Sequence, residues 1–176
     1  MYDWPELRSQ TDQIWHILAH HFEAAGFQAP SELTRPDGET EYWRDPDLLF
    51  SQTCGYPFST QLVGQVALLG TPCFDIPGWD GPNYSSAIIV RSDADAPDLD
   101  ACRSDRFAYN GLNSLSGYRC LSPLIGEAET WFDTSVESGG HRASALMVSR
   151  GDADIAAIDA QCWNLFAPFE PAAASR

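Results

Sequence analysis

With 176 residues, 44% of them hydrophobic and 12% aromatic, the chain can bury a core, and its length lies between one ordinary domain and two small lobes. Its 25 acidic residues outnumber 10 basic ones, and the formal charge of −15 repels polyphosphate backbones, which excludes nucleic acid and anionic membrane surfaces as partners. No run approaches the ~18 apolar residues of a spanning helix, so no membrane insertion is expected, and the start Met1-Tyr2-Asp3-Trp4-Pro5 has neither the basic nor the apolar region of an export signal.

Leu7, Thr11, Ile14, Trp15, Leu18, Phe22 and Ala25 recur at helical spacing and predict an amphipathic helix from about Glu6 to Ala25, closed by Gly26. The stretch from Gln28 to Asp47 is rich in Pro, Asp, Glu and Arg and reads as loop, with a short helix near Glu41 to Arg44. Short apolar runs come next at Leu48 to Ser51, Val66 to Leu69, Ala87 to Val90 and Phe107 to Asn110. Bounded by Gly, Pro, Asn or Asp and lacking alternation, they suit strands covered on both faces. The rest alternates: a helix after Ser116, a strand near Phe132 to Val136, a helix from His141 to Arg150, a strand from Asp154 to Ile158 and a helix through Trp163. That rhythm predicts an α/β fold. The Asp-rich segment Arg91 to Asp100 reads as a crossover, with residues 1–90 forming a first α/β lobe and 91–176 a second. Cys54, Cys73, Cys102, Cys120 and Cys162 are odd in number with no CxxC pair, so they read as mostly buried thiols.

Chemistry concentrates at two turns. Asn110-Gly111-Leu112-Asn113-Ser114-Leu115-Ser116-Gly117 breaks an apolar strand into small polar residues before a predicted helix, offering hydroxyls and orphan N–H groups that an oxyanion needs. An ordinary N-cap at Ser114 or Ser116 would look the same. Ser138-Gly139-Gly140-His141-Arg142-Ala143-Ser144 is a second such turn, where His141 opens a helix and can donate to an anion; a glycine turn with a surface histidine is the alternative. Helices that succeed parallel strands start at the strands' carboxyl ends, so both turns can face one crevice.

These two segments, together with Asp152-Ala153-Asp154-Ile155-Ala156-Ala157-Ile158-Asp159, resemble successive segments of the phosphonate-binding proteins of ABC transporters. The resemblance implies the type II periplasmic-binding fold, two α/β lobes with helix-flanked sheets closing on a ligand. It further implies that Ser114 and Ser116 donate hydroxyls, that Asn110 belongs to the same turn, that His141 supplies an imidazole donor and that Asp159 meets an amino group on the ligand. Ser51-Gln52-Thr53-Cys54-Gly55-Tyr56-Pro57 resembles the family's turn that places an aromatic residue in the cleft, here Tyr56, and Tyr84 is a second aromatic candidate. Family members begin with a further strand and return to the first lobe after the position of Trp163; neither has a counterpart here. The expected ligand is a small oxyanion, a phosphonate, phosphate or zwitterionic phosphonate, with an ABC permease as partner and no cofactor. The resemblance implies a periplasmic location, whereas the start of the chain points to a cytoplasmic one.

Two other classes fit parts of the sequence. Ser116, His141 and Asp159 assemble on paper into a hydrolase triad, but Ser116 lies in no GxSxG elbow. A truncated binding fold acting as a cytoplasmic sensor or interaction module is the other. His16, His20 and His21 on the first helix, and Asp93, Asp95, Asp98 and Asp100, read as solvated faces and not as metal sites.

Overall fold

The computed structural model describes residues 2–36 and 41–176; part of the loop expected over residues 28–47 therefore lies outside the described residues. The chain divides into two compact units, one of residues 1–53 with 62–67 and one of residues 54–61 with 68–176.

In the first unit a 3-10 turn, Pro5–Leu7, leads into α1, Arg8–Ala24. Proline at the head of this turn loses no hydrogen bond, because the first N–H groups of a helical segment have no intrahelical partner. Trp15 and Ala19, four residues apart, form the buried line, and the Trp15 indole N–H donates to the Pro30 carbonyl at 3.0 Å. Phe22 packs against Phe27 and Phe50, with centroids 6.3 and 5.8 Å away. Arg35 pairs with Asp3 at 2.5 Å and Asp12 at 2.9 Å, and this guanidinium holds the Asp3 carboxyl below the usual carboxylate range. The short helix expected near Glu41 is a 3-10 turn, Tyr42–Arg44.

The strands expected at Leu48 to Ser51 and Val66 to Leu69 do not form among the described residues. An apolar run becomes a strand only where a neighbour takes its N–H and C=O groups, and among the described residues neither run pairs with one. Phe50, Leu68 and Leu69 are instead exposed by 39%, 65% and 70%.

The second unit carries the α/β architecture. It opens with α2, Gly55–Thr60, and continues to a two-residue hairpin of β1, Trp79–Asp80, and β2, Asn83–Tyr84. The sheet comprises β3 (Ser86–Val90), β4 (Arg106–Tyr109), β5 (Thr134–Glu137) and β6 (Ile155–Asp159), in the order β3-β6-β4-β5. β4 runs parallel to both β5 and β6, while β3 is antiparallel to β6 over Ser86↔Asp159 to Val90↔Ile155. The boundary expected at residue 90 thus falls between strands that share one sheet. Central β6 is buried at every residue, as its unbroken apolar run requires.

Ile155 and Ala157 pack with Phe107, Tyr118, Leu121 and Phe132 in the main hydrophobic cluster, where the Phe107 and Phe132 rings stack at 4.8 Å. α5, His141–Arg150, buries His141, Ser144, Ala145 and Val148, an i, i+3, i+4, i+7 face, and packs on β4 and β6. α6, Ala160–Phe169, and α7, Pro171–Ala174, come after β6 and pack on α5. The single helix expected after Ser116 is divided into a 3-10 turn at Arg119–Leu121, α3 at Ser122–Ile125 and α4 at Ala128–Trp131, because the chain leaves helical space at Gly126 with φ 76°.

Candidate functional site

The sheet order sets the site. β4 and β6 are parallel neighbours, so the segments they lead into, the loop from Asn110 and the helix from Asp159, emerge at the same carboxyl end. α5 reaches that end with its first residue, His141. Its N-cap, Gly140, is extended at φ −176°, ψ 154°, and turns the chain directly into the helix.

His141 is 4% exposed and makes the central contacts. Its Nε2 lies 3.0 Å from Ser116 Oγ and 3.2 Å from Asn110 Nδ2, and its Nδ1 lies 3.3 Å from the Asp159 backbone N–H. Burial pushes its pKa down to about 4, against a smaller opposing contribution from the Ala157 carbonyl, so the ring is neutral at physiological pH. The Asp159 N–H can only donate, which places a lone pair on Nδ1 and the ring proton on Nε2; the nearby Ala157 carbonyl favours the opposite tautomer. We assign the Nε2–H form because a donor is in hydrogen-bonding geometry at Nδ1. In that form Ser116 Oγ accepts from the ring, and the serine retains its own proton for another acceptor. With the Asn110 amide turned so that its oxygen faces the ring, the one Nε2–H is shared between Ser116 Oγ and an Asn110 Oδ1 that is otherwise buried with no partner.

The loop is crowded where these side chains meet. A Cβ at Gly117 would stand 2.6 Å from Asn110 Cγ and 3.0 Å from His141 Cε1, so only glycine lets the two side chains approach. Ser114 sits one step outward, its Oγ accepting from the Gly117 N–H at 3.0 Å. No long helix succeeds this loop, so the expected helix-terminal field at Ser114 and Ser116 is absent; hydroxyls and backbone donors remain. Two thiols brace the loop: Leu115 N–H donates to Cys54 Sγ at 3.3 Å, and Cys120 Sγ–H donates to the Ser116 carbonyl at 3.1 Å. Of the five cysteines, Cys102 and Cys162 are buried, Cys54 and Cys120 half-buried and Cys73 exposed, so fewer are core thiols than expected.

Asp159 is wholly buried and caps α6, its Oδ1 accepting from the N–H groups of Gln161 at 3.0 Å and Cys162 at 3.1 Å. It presents its main-chain N–H, not its carboxylate, to His141 Nδ1, so the orienting bond of a Ser-His-Asp triad is not made. Tyr84 stacks on Trp79 at 5.3 Å, and its phenol lies near Cys54 and Asp159. Burial, with Cys54 next, pushes the phenol well above its usual range, which keeps it protonated. Tyr56, at the head of α2, lies under the Arg119 guanidinium, 5.1 Å from its ring centroid. The structure therefore joins Asn110, Ser116 and His141 directly, places Asp159 against the same ring through its backbone, and sets Ser114 on the loop's outer edge. Gly117, Arg119, Cys54 and Cys120 join the site through contacts that only the fold brings about. Their contacts reach from one helical turn along the chain, as for Cys120 and Ser116, to the separation of Arg119 from Tyr56, and no local pattern marks them.

The described residues thus form an α/β sheet with polar turns at the carboxyl ends of β4 and β5, and a serine-histidine pair whose ring is oriented by the main chain. Residues 48–175 match the family of periplasmic substrate-binding proteins of ABC phosphonate transporters, and the chain belongs to that family. The family's members are binding proteins, periplasmic in ABC systems. Among solved structures the chain is similar to a binding protein component of an ABC phosphonate transporter from Pseudomonas aeruginosa, at 22% identity and a TM-score of 0.43, covering 51% of this chain and 32% of that one. The chain thus spans about a third of that structure's length. No curated protein matches it. Among the described residues no helix is long and apolar enough to cross a membrane.

Proposed function

We propose that this protein binds the oxyanion of a phosphonate at the Asn110 to Gly117 loop, as the substrate-binding component of an ABC uptake system with a permease as its partner. The carrying observation is the Asn110–Ser116–His141 cluster, in which Ser116 Oγ lies 3.0 Å from Nε2 of a neutral ring; with the ring proton assigned to Nε2, the serine hydroxyl is left to donate. Ser114, on the outer edge of the loop, is the second hydroxyl donor. Neutral donors suit a phosphonate in an acidic chain, since they bind a dianion without a buried counter-charge. Tyr56 and Tyr84 lie along the ligand's linker, and an amine, where present, is met by Asp159.

A thermal-shift screen with phosphate, sulfate, methylphosphonate and aminoethylphosphonate tests this reading. A ligand at 100 times its dissociation constant stabilises the fold by ~2.7 kcal/mol, and the methylphosphonate shift should shrink in Ser116→Ala. No stabilisation of wild type by either phosphonate at millimolar concentration would end the proposal.

A further inference from the structure

We propose that Arg119 is a positioning residue that locks Tyr56 and the serine loop into one rigid unit, an inference that rests on the phosphonate site proposed above. One side chain and its own amide hold that loop at two points. Arg119 Nε donates to the Leu112 carbonyl at 3.1 Å, and the Arg119 backbone N–H donates to the Ser114 carbonyl at 3.0 Å. The loop from Leu112 to Arg119 is thereby closed from both sides around Ser114 and Ser116. The same guanidinium lies over two aromatic rings, 5.1 Å from the Tyr56 centroid and 4.9 Å from that of Tyr118. Tyr118 is 2% exposed and part of the main hydrophobic cluster, so the guanidinium connects the loop to a fixed wall on one side and to Tyr56 of α2 on the other.

The chemistry requires arginine. A planar guanidinium can stack on a ring while its Nε–H lies in the plane to reach a carbonyl, and a lysine ammonium cannot do both. Glu127, 3.8 Å from Arg119 Nη1 and 67% exposed in its side chain, offsets part of the charge, which assigns the residue a geometric role in preference to a field at the ligand. Binding then gains from preorganisation: the loop and the aromatic wall need not be ordered when the oxyanion arrives.

The test compares wild type with Arg119→Lys and Arg119→Gln, by calorimetric titration of methylphosphonate and by denaturant unfolding of the ligand-free proteins. We expect Arg119→Lys to weaken binding about as much as Arg119→Gln, on the order of fivefold or more, because both lose the planar fork that reaches the Leu112 carbonyl from over the two rings, although lysine keeps the charge. Affinity fully retained in Arg119→Lys would overturn the proposal. A double-mutant cycle with Tyr56→Leu on unfolding of the ligand-free proteins reads the clamp without any ligand: non-additive losses support it, and additive losses overturn it. If wild type binds no phosphonate, the functional reading fails, and the unfolding cycle still decides whether Arg119 clamps Tyr56.

Discussion

His141 shows how one side chain can be fixed by the sheet it caps. Its ring fills the space beside the last residues of β6 and takes up the Asp159 N–H. A buried neutral histidine leaves a signature in stability. The unfolded chain gains a proton on this residue near pH 6.5, while the native ring resists until about pH 4. Between those values the unfolded state binds more protons, so stability falls as pH drops through that window and is unaffected by this residue above it. The expected slope is about 1.4 kcal/mol per pH unit for one proton. Denaturant unfolding from pH 7 to 4 should show that slope in wild type and lose it in His141→Gln; an unchanged slope in the variant would assign it to other groups. The sequence places this residue at the head of a helix after a glycine turn, and the structure has it there. That the ring would be held by the main chain, and not by a carboxylate, was not legible, because Asp159 is 18 positions away and the packing of α5 on β6 decides which of its atoms faces the ring.

At the scale of elements, the strand-to-helix junctions carry both stability and the site. Asp159 ends β6, caps α6 and supplies the N–H that orients His141, so one residue serves three neighbours. Asparagine keeps a side-chain acceptor at an N-cap and alanine removes it. Asp159→Ala should therefore lose about 1 kcal/mol of stability or more given its burial, and Asp159→Asn markedly less. If Asp159 also meets a ligand amine, Asp159→Asn will lose the preference for aminoethylphosphonate over methylphosphonate while remaining folded. Equal preference in wild type and variant, by calorimetry, would restrict Asp159 to capping. The elements read most accurately were those with a strong period or an unbroken apolar run: α1, α5, β4 and β6 all form within a few residues of expectation. The two absent strands show the limit. Leu48 to Ser51 and Val66 to Leu69 have strand composition, yet a strand is a pairing between segments, and composition does not supply the partner.

Across the whole molecule, the formal net charge of −15 sets the field in which the proposed neutral-donor site would work. On that proposal a dianionic phosphonate would approach against a repulsive field, which salt screens over a Debye length falling from about 30 Å at 0.01 M to about 8 Å at 0.15 M. The association rate for methylphosphonate should therefore rise with ionic strength across that range, measured by stopped-flow tyrosine and tryptophan fluorescence. A falling rate would mean that a local positive field steers the ligand, and the neutral-donor account would be wrong.

By itself the sequence determined the α/β class, the positions of its strongly periodic elements and the two polar turns, because these depend on spacing within a few helical turns or a single strand. Resemblance of segment order added the family. Tertiary structure alone decided that β3 joins the same sheet as β4 and β6, that Cys54 reaches the Leu115 N–H, that Arg119 covers Tyr56 and that His141 closes on Gly117. These are matters of which distant groups meet, and a hydrogen bond or a steric limit between residues tens of positions apart has no periodicity for a sequence to display.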